Sequence, residues 1–142
     1  MGTIRAVCIS AEKGTGKRDV GRAELVEQRG LKGDAHAGSG ARQVSLLSLQ
    51  KIEAFRATGA DVEFGDFGEN IVADGIDFAS LPVGTKLHCG EVLMEITQIG
   101  KECHNRCAIF HRMGDCIMPR EGVFAAVLQR GMIQTGDEIY VG

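Results

Sequence analysis

The sequence has no tryptophan, only 2 prolines, and an aromatic content of 5%. No apolar run approaches the ~18–20 residues that a bilayer-spanning helix needs. The N-terminus, MGTIRA, has no basic stretch leading into a long apolar one, so no secretory signal is predicted. A cytoplasmic location without a membrane partner is the expectation. An excess of positive charge is missing as well: 16 Lys+Arg stand against 19 Asp+Glu, for a net charge of -3. Surfaces that neutralise nucleic-acid phosphates are normally basic, so no nucleic-acid partner is expected. Internal repeats, linkers and low-complexity tracts are absent too.

Glycine is what the chain has in abundance, at 20 of 142 residues, about twice the usual ~7%. With few prolines and no triplet period, this glycine content points to many tight turns and bulges, and so to β structure. At ~100–200 residues per domain, residues 1–142 read as one domain. That length closes a core without metal or disulfide staples. Hydrophobic residues at 44% and charged residues at 25% exclude disorder over the whole length.

The local patterns agree. Residues 3–10 (TIRAVCIS) alternate and predict a strand, 11–20 a polar loop, and 22–29 (RAELVEQR) a strand or a short helix. A glycine-rich loop at 30–40 precedes a buried strand at 42–47 (RQVSLL). The best helix is 49–58 (LQKIEAFRAT), with Leu49, Ile52 and Phe55 on one face, Ser48 placed to cap it and Gly59 to stop it. A turn at 64–70 leads to a strand at 70–73. Residues 82–88 and 91–98 predict a hairpin turning at Cys89 and Gly90, and 105–113 a short helix. Strands at 122–129 and 138–141 close the chain. The predicted class is mainly β, a closed or partly open β-barrel with two or three short helices; an α+β sandwich is the runner-up.

Five cysteines, Cys8, Cys89, Cys103, Cys107 and Cys116, make an odd number. Without a secretory signal they read as thiols, metal ligands or catalytic groups rather than as a disulfide framework. Three of them crowd into residues 103–116 together with His104 and His111. Cys103 and Cys107 lie four apart on one helix face, and His111 continues it, which suits a soft metal. A structural zinc site usually needs a second close cysteine pair, and none is present. Cys107, beside Ile109 and Phe110, also reads as a core residue. Cys103 precedes a predicted helix start, with Lys101 and Arg106 close in sequence. Both features favour the thiolate, the form that acts as nucleophile and as soft-metal ligand.

Gly14-Thr15-Gly16-Lys17 matches neither the phosphate-loop pattern nor the dinucleotide fingerprint. Residues 30–42 differ, because Asp34, His36 and Arg42 are set among four glycines with Lys32 nearby. Such a loop brings backbone N–H groups and a cation to an anion. Arg120, in the PREG turn, either serves the same anion or pairs with Glu121.

The order GLKGDAHAG (30–38), RQVSLLS (42–48), FGENI (67–71), PVGTKLHCGEVLMEITQIGKECH (82–104), MPREGVFAAVLQRG (118–131) and GDEI (136–139) resembles the MOSC domain. That is the C-terminal domain of eukaryotic molybdenum cofactor sulfurases, which also occurs as small stand-alone bacterial proteins. The resemblance covers nearly the whole chain and implies a β-rich barrel with short helices. It implies a sulfur carrier or a molybdenum-cofactor-binding domain acting through one cysteine. By its position after the EVLMEITQ strand, that cysteine is Cys103; Glu102 stands where family members often carry proline. The pyridoxal-phosphate desulfurase half of the large sulfurases is absent. Pyridoxal phosphate is therefore not expected, and sulfur must come from a separate donor such as a cysteine desulfurase.

On this reading Cys103 is nucleophile and metal ligand, and His104 and His36 shuttle protons or fix the thiol. Lys32, His36, Arg42, Lys101, Arg106 and Arg120 are the candidates for binding the cofactor and its phosphate. Sulfane sulfur would pass as a Cys103 persulfide to molybdenum cofactor or a molybdoenzyme acceptor, a sulfurtransferase-type activity dependent on the donor. Three other readings stay open. The domain holds cofactor or molybdate without sulfur transfer, or it is a structural metal protein using Cys103, Cys107, His111 and Cys116. The third is a small oxidoreductase acting on hydroxylated nitrogen compounds, which needs an electron donor this chain does not contain.

Overall fold

Short alternating segments separated by glycine turns make strands, and in the computed structural model they close on themselves. It describes residues 2–10, 17–34, 43–59, 62–99 and 122–142. The described strands are β1 (Gly2–Ile9), β2 (Arg18–Asp19), β3 (Arg22–Val26), β4 (Gly30–Leu31), β5 (Val44–Ser48), β6 (Ile71–Asp74), β7 (Lys86–Cys89), β8 (Val92–Ile99), β9 (Val123–Gln129), β10 (Gly131–Gln134) and β11 (Glu138–Val141). One helix, α1 (Leu49–Arg56), and one 3-10 turn (Phe78–Ser80) accompany them. None of the described helices is long and apolar enough to cross a membrane.

Seven strands form a closed barrel in the order β11–β7–β8–β9–β5–β6–β1, with β1 pairing back onto β11. A ring of seven strands cannot alternate direction all the way round, so one neighbouring pair must be parallel. That pair is β5–β6. Parallel neighbours need a crossover rather than a tight turn, and α1 lies within it. The sequence between β5 and β6 therefore has to supply a helix, as the Leu49, Ile52, Phe55 spacing predicts. A smaller sheet, β10–β3–β4, adds Ala23, Leu25, Leu31 and Ile133 to the core cluster of the barrel, and β2 pairs antiparallel with the end of β1.

Two cores result. Inside the barrel lie Ile4, Val7, Leu46, Ile71, Leu87, Met94, Ile96 and Val123 among others. Outside it, Ala6, Cys8, Leu47, Val72 and Phe124 meet Leu49, Ile52 and Phe55 of α1 together with Val62 and Phe67. Phe55 and Phe67 make an edge-to-face pair at 5.1 Å. All of β5 is buried because it serves both cores, which explains its continuous VSLLS run.

The barrel is closed, and the sandwich alternative does not occur. Residues 22–29, open between strand and helix in the sequence, contribute β3. Ser48 has the extended backbone of an N-cap but makes no side-chain cap bond. Its hydroxyl donates instead to the Ile76 carbonyl at 2.6 Å and accepts from the Phe78 N–H at 3.2 Å, tying the start of α1 to the 3-10 turn. Strand β10 escapes sequence reading because only Ile133 within it is buried, which leaves no period to detect. The helix predicted at 105–113 lies outside the described residues, so one α-helix and one 3-10 turn are what the described part holds of the two or three expected.

Candidate functional site

Where β1 ends and β5 and β6 begin, the barrel wall turns polar. Val7, Ile71, Leu46, Val123 and Ile99 form one continuous hydrogen-bonded row across β1, β6, β5, β9 and β8. Just beyond the β1–β6–β5 part of this row sit Cys8, Ser10, Asn70 and Ser45, with Lys17 and Asp34 against them. The Lys17 ammonium lies 2.7 Å from Asp34 Oδ1, and the two side chains are 2% and 0% exposed. Asp34 Oδ1 also accepts from the Ser10 N–H at 3.1 Å, and its Oδ2 accepts from Asn70 Nδ2 at 3.1 Å. Burial pushes the Asp34 carboxyl up, but the bonds from Lys17, the Ser10 N–H and Asn70 outweigh it and hold it below the usual carboxylate value.

Asn70 is the hub. Its Nδ2 donates to the Cys8 carbonyl at 3.0 Å, and its Oδ1 accepts from the Ser45 N–H at 2.9 Å. One side chain thus joins β1, β5, β6 and Asp34. Ser45 Oγ lies 2.9 Å from the Gly68 carbonyl and accepts from the Asn70 N–H at 3.0 Å. Lys17 is fixed from the other side by Gly65: its N–H donates to the Gly65 carbonyl at 3.0 Å. Gly65 has φ +95, and a Cβ there would strike the Lys17 carbonyl oxygen, so only glycine admits this approach.

Next to the hub, Glu69 is fully buried. Its Oε1 accepts from the Phe67 N–H at 3.1 Å, while Oε2 has no partner. Burial pushes its carboxyl up to about 7; N–H groups of Gly65, Glu69 and Phe67 oppose the rise, and the Asp66 charge adds to it. Burial therefore favours the protonated form of Glu69 well above the usual carboxylate range. On the other face of Lys17, a cleft of about 440 Å³ is lined by Arg18, Asp19, Arg56, Glu63, Phe64 and Asp66. Basic and acidic side chains balance there, so it favours ions of neither sign.

Two of the five cysteines fall within the described residues, and both are buried in the barrel wall. The Cys8 thiol is pushed far up by burial and by the charges of Glu69 and Asp19, against a smaller opposing effect of Lys17. Burial and Asp137 raise Cys89 to about 11. Neither presents a thiolate at neutral pH.

Of the residues singled out from the sequence, Lys32 is described. Its side chain is 73% exposed, with the ammonium 3.7 Å from Glu24 Oε2, so contact with a cofactor would require leaving that partner. Cys103, His104, His36, Arg42, Lys101, Arg106 and Arg120 lie outside the described residues, as do Cys107, His111 and Cys116. The bounds of their segments are placed: 35–42 runs from Asp34 to Gln43, and 100–121 from Ile99 to Gly122. Since β5 and β8 run in the same direction, the chain enters β5 from one side of the hydrogen-bonded row and leaves β8 on the other. Among the described residues no cluster of three metal-ligating side chains occurs.

The sequence reading missed Lys17, assigned to a polar loop, and the hub role of Asn70. Neither carries a local signal. A lysine beside glycines reads as solvated, and its carboxylate partner is 17 residues away.

A closed seven-stranded barrel with one parallel pair, a helix in the crossover and a buried polar hub at one edge defines a class of small β-barrel domains. The sequence pattern of the MOSC domain matches residues 33–140. The chain belongs to the MOSC domain family. Among solved structures it is similar to the YUAD protein from Bacillus subtilis, with a TM-score of 0.79, 17% identity, and 98% of this chain and 94% of that one covered. YiiM from Geobacillus stearothermophilus is similar with a TM-score of 0.76 at 17% identity, over 100% of this chain and 75% of that one. YiiM from Escherichia coli follows with 0.67 at 18% identity, over 99% and 69%. These likenesses concern the fold. No protein of curated function matches the chain significantly.

Proposed function

We propose that this MOSC domain carries sulfane sulfur on Cys103 and delivers it to a molybdenum centre. The observation that supports this reading is the division among the cysteines. Cys8 and Cys89 are sealed and held as thiols, so nucleophilic sulfur has to come from the 103–116 cluster. Four residues of chain span at most ~14 Å, which keeps Cys103 within that reach of Ile99 at the end of the hydrogen-bonded row.

In the loading step the Cys103 thiolate attacks the terminal sulfur of a donor persulfide. A new S–S bond forms on Cys103, the donor's S–S bond breaks, and the donor thiolate leaves with the electron pair. Lys101 and Arg106 favour the thiolate, and His104 holds or moves its proton. Molybdenum cofactor fits the donor set of this chain. The Cys103 thiolate is a soft ligand suited to the metal. Arg42, Lys101, Arg106 and Arg120, with His36, suit a phosphate. Neither wall thiol competes for the metal, because both are sealed among apolar side chains. If bound, the cofactor would supply a metal centre for the sulfur. Delivery of sulfane sulfur as sulfide needs two electrons, which a separate thiol reductant would supply as the S–S bond on Cys103 breaks and Cys103 returns to the thiolate.

The test is intact-mass measurement after incubation with a cysteine desulfurase and cysteine. Wild type is expected to gain the mass of one sulfur atom, removable by reductant, and Cys103→Ala to gain none. Absence of added sulfur on wild type, or equal loading of Cys103→Ala, overturns the proposal. Molybdenum retained on gently purified protein that takes up no sulfur favours a binding module instead.

A further inference from the structure

The cleft beside Lys17 takes its walls from three parts of the chain: Arg18 and Asp19 of β2, Arg56 at the end of α1, and Glu63, Phe64 and Asp66 from the turn before β6. Its volume of about 440 Å³ lies within the range of about 300–1,000 Å³ typical of small-molecule sites. Several of its polar groups are fixed by backbone bonds. Asp19 Oδ1 accepts from the Val7 N–H at 3.2 Å and from the Gly21 N–H at 2.9 Å. Asp66 Oδ2 accepts from the Glu63 N–H at 2.9 Å. Arg56 Nε donates to the Val62 carbonyl at 3.0 Å, and the guanidinium carbon lies 5.1 Å from the centre of the Phe64 ring. Holding these groups in place before a ligand arrives lowers the entropy that binding has to overcome. Arg18 and Glu63 are exposed, and neither side chain has a partner among the described residues.

The charges narrow the class of ligand. Asp34 already neutralises the Lys17 ammonium, which leaves two guanidiniums facing three carboxylates in the lining. A simple anion drawn to the guanidiniums meets the carboxylates as well, and a simple cation meets the guanidiniums. Divalent cations want several oxygen ligands converging on one point, whereas among the described residues no three metal-ligating side chains form a cluster. A compact molecule that carries both charges satisfies both sets, since guanidinium suits a carboxylate and carboxylates suit an ammonium. The Phe64 ring, packed against the outer core, adds an apolar surface between them.

We propose that this cleft binds a free α-amino acid with an apolar side chain. Arg18 and Arg56 hold its carboxylate, Asp19, Glu63 and Asp66 hold its ammonium, and its side chain rests on Phe64. The site is built without Cys103 and does not depend on the sulfur-carrier reading.

The experiment is titration of ¹⁵N-labelled protein with L-leucine, followed by backbone amide shifts. Two analogues serve as controls: 4-methylpentanoate, which lacks the ammonium, and 3-methylbutylamine, which lacks the carboxylate. L-leucine is expected to produce saturable shifts at Arg18, Asp19, Arg56 and residues 63–66, and both analogues to bind at least about fivefold more weakly. Arg18→Gln and Glu63→Gln each remove one exposed charge and strand no buried group, so both are expected to keep the wild-type urea midpoint. Each is expected to weaken L-leucine binding by up to about fivefold, the upper end for a solvent-accessible ion pair. A wild type with no saturable shifts, shifts confined to other residues, or unchanged affinity in both variants overturns the site. Equal binding of either analogue overturns the zwitterion and leaves a site for a single charge.

Discussion

The Lys17 ammonium and the Asp34 carboxylate meet at 2.7 Å with both side chains out of contact with solvent. The pair joins the chain segment between β1 and β2 to the residue that precedes 35–42. Replacing one member leaves a buried charge without its partner, which typically costs about 3–5 kcal/mol. Lys17→Met and Asp34→Leu are each expected to lose stability of that order in urea unfolding. The double variant is expected to lose clearly less than the sum, since removing both charges strands neither. Additive losses would show that the two groups do not interact.

Glu69 predicts an unusual pH dependence. Its folded value of about 7 stands above the ordinary 4.5, so between these limits the folded state binds more proton than the unfolded one. The stability this group contributes is then greatest below pH ~4.5, falls as pH rises toward 7, and levels off above it. Converting the shift at 1.36 kcal/mol per unit gives a loss of about 3 kcal/mol for this group. Glu69→Gln, which cannot ionise, is expected to flatten the contribution. Urea midpoints of both proteins from pH 5 to 8 check this, and parallel curves would refute it.

Gly65 is expected to tolerate no side chain. Its left-handed backbone and its approach to the Lys17 carbonyl oxygen make Gly65→Ala strained and sterically blocked together. A loss of at least about 1–2 kcal/mol is expected from the backbone conformation alone. Gly84→Ala shares the positive φ but meets nothing nearby, so it is expected to lose less. Paired thermal melts decide between them.

Cys8 and Cys89 are expected to resist alkylation in the native protein at pH 8 and to react fully once it is unfolded in urea. Their burial and raised pKa values withhold both access and ionisation. Peptide mapping after brief iodoacetamide treatment reads this directly. Native labelling of either residue would contradict the division among the cysteines.

Ile52 anchors α1 to the outer core and is fully buried. Ile52→Ala is expected to cost about 2–5 kcal/mol, seen as a lower urea midpoint. A cost near zero would mean that α1 does not seal this face.

Much of the barrel was legible because its signals are local. The alternation of residues 3–10, the buried run of β5, the hairpin at Gly90 and the Leu49–Ile52–Phe55 face each depend on residues a few positions apart, and each forms as expected. The strand at 22–29 was only half readable, and β10 not at all, since their burial is decided by the sheet they pair in. The anion-loop candidates were chosen by residue type; of these Lys32 is now seen to lie exposed beside Glu24.

By itself, then, the sequence determined a glycine-punctuated β fold, one crossover helix and the resemblance that identifies the family, because periodicity and motif order are properties of neighbouring residues. Only the tertiary structure decided that Lys17 is buried against Asp34, that Asn70 joins three strands, that Glu69 is buried and its carboxyl pushed up, and that two cysteines are walled in. Those outcomes depend on solvent exclusion and on partners brought together from distant parts of the chain, and no local pattern encodes either.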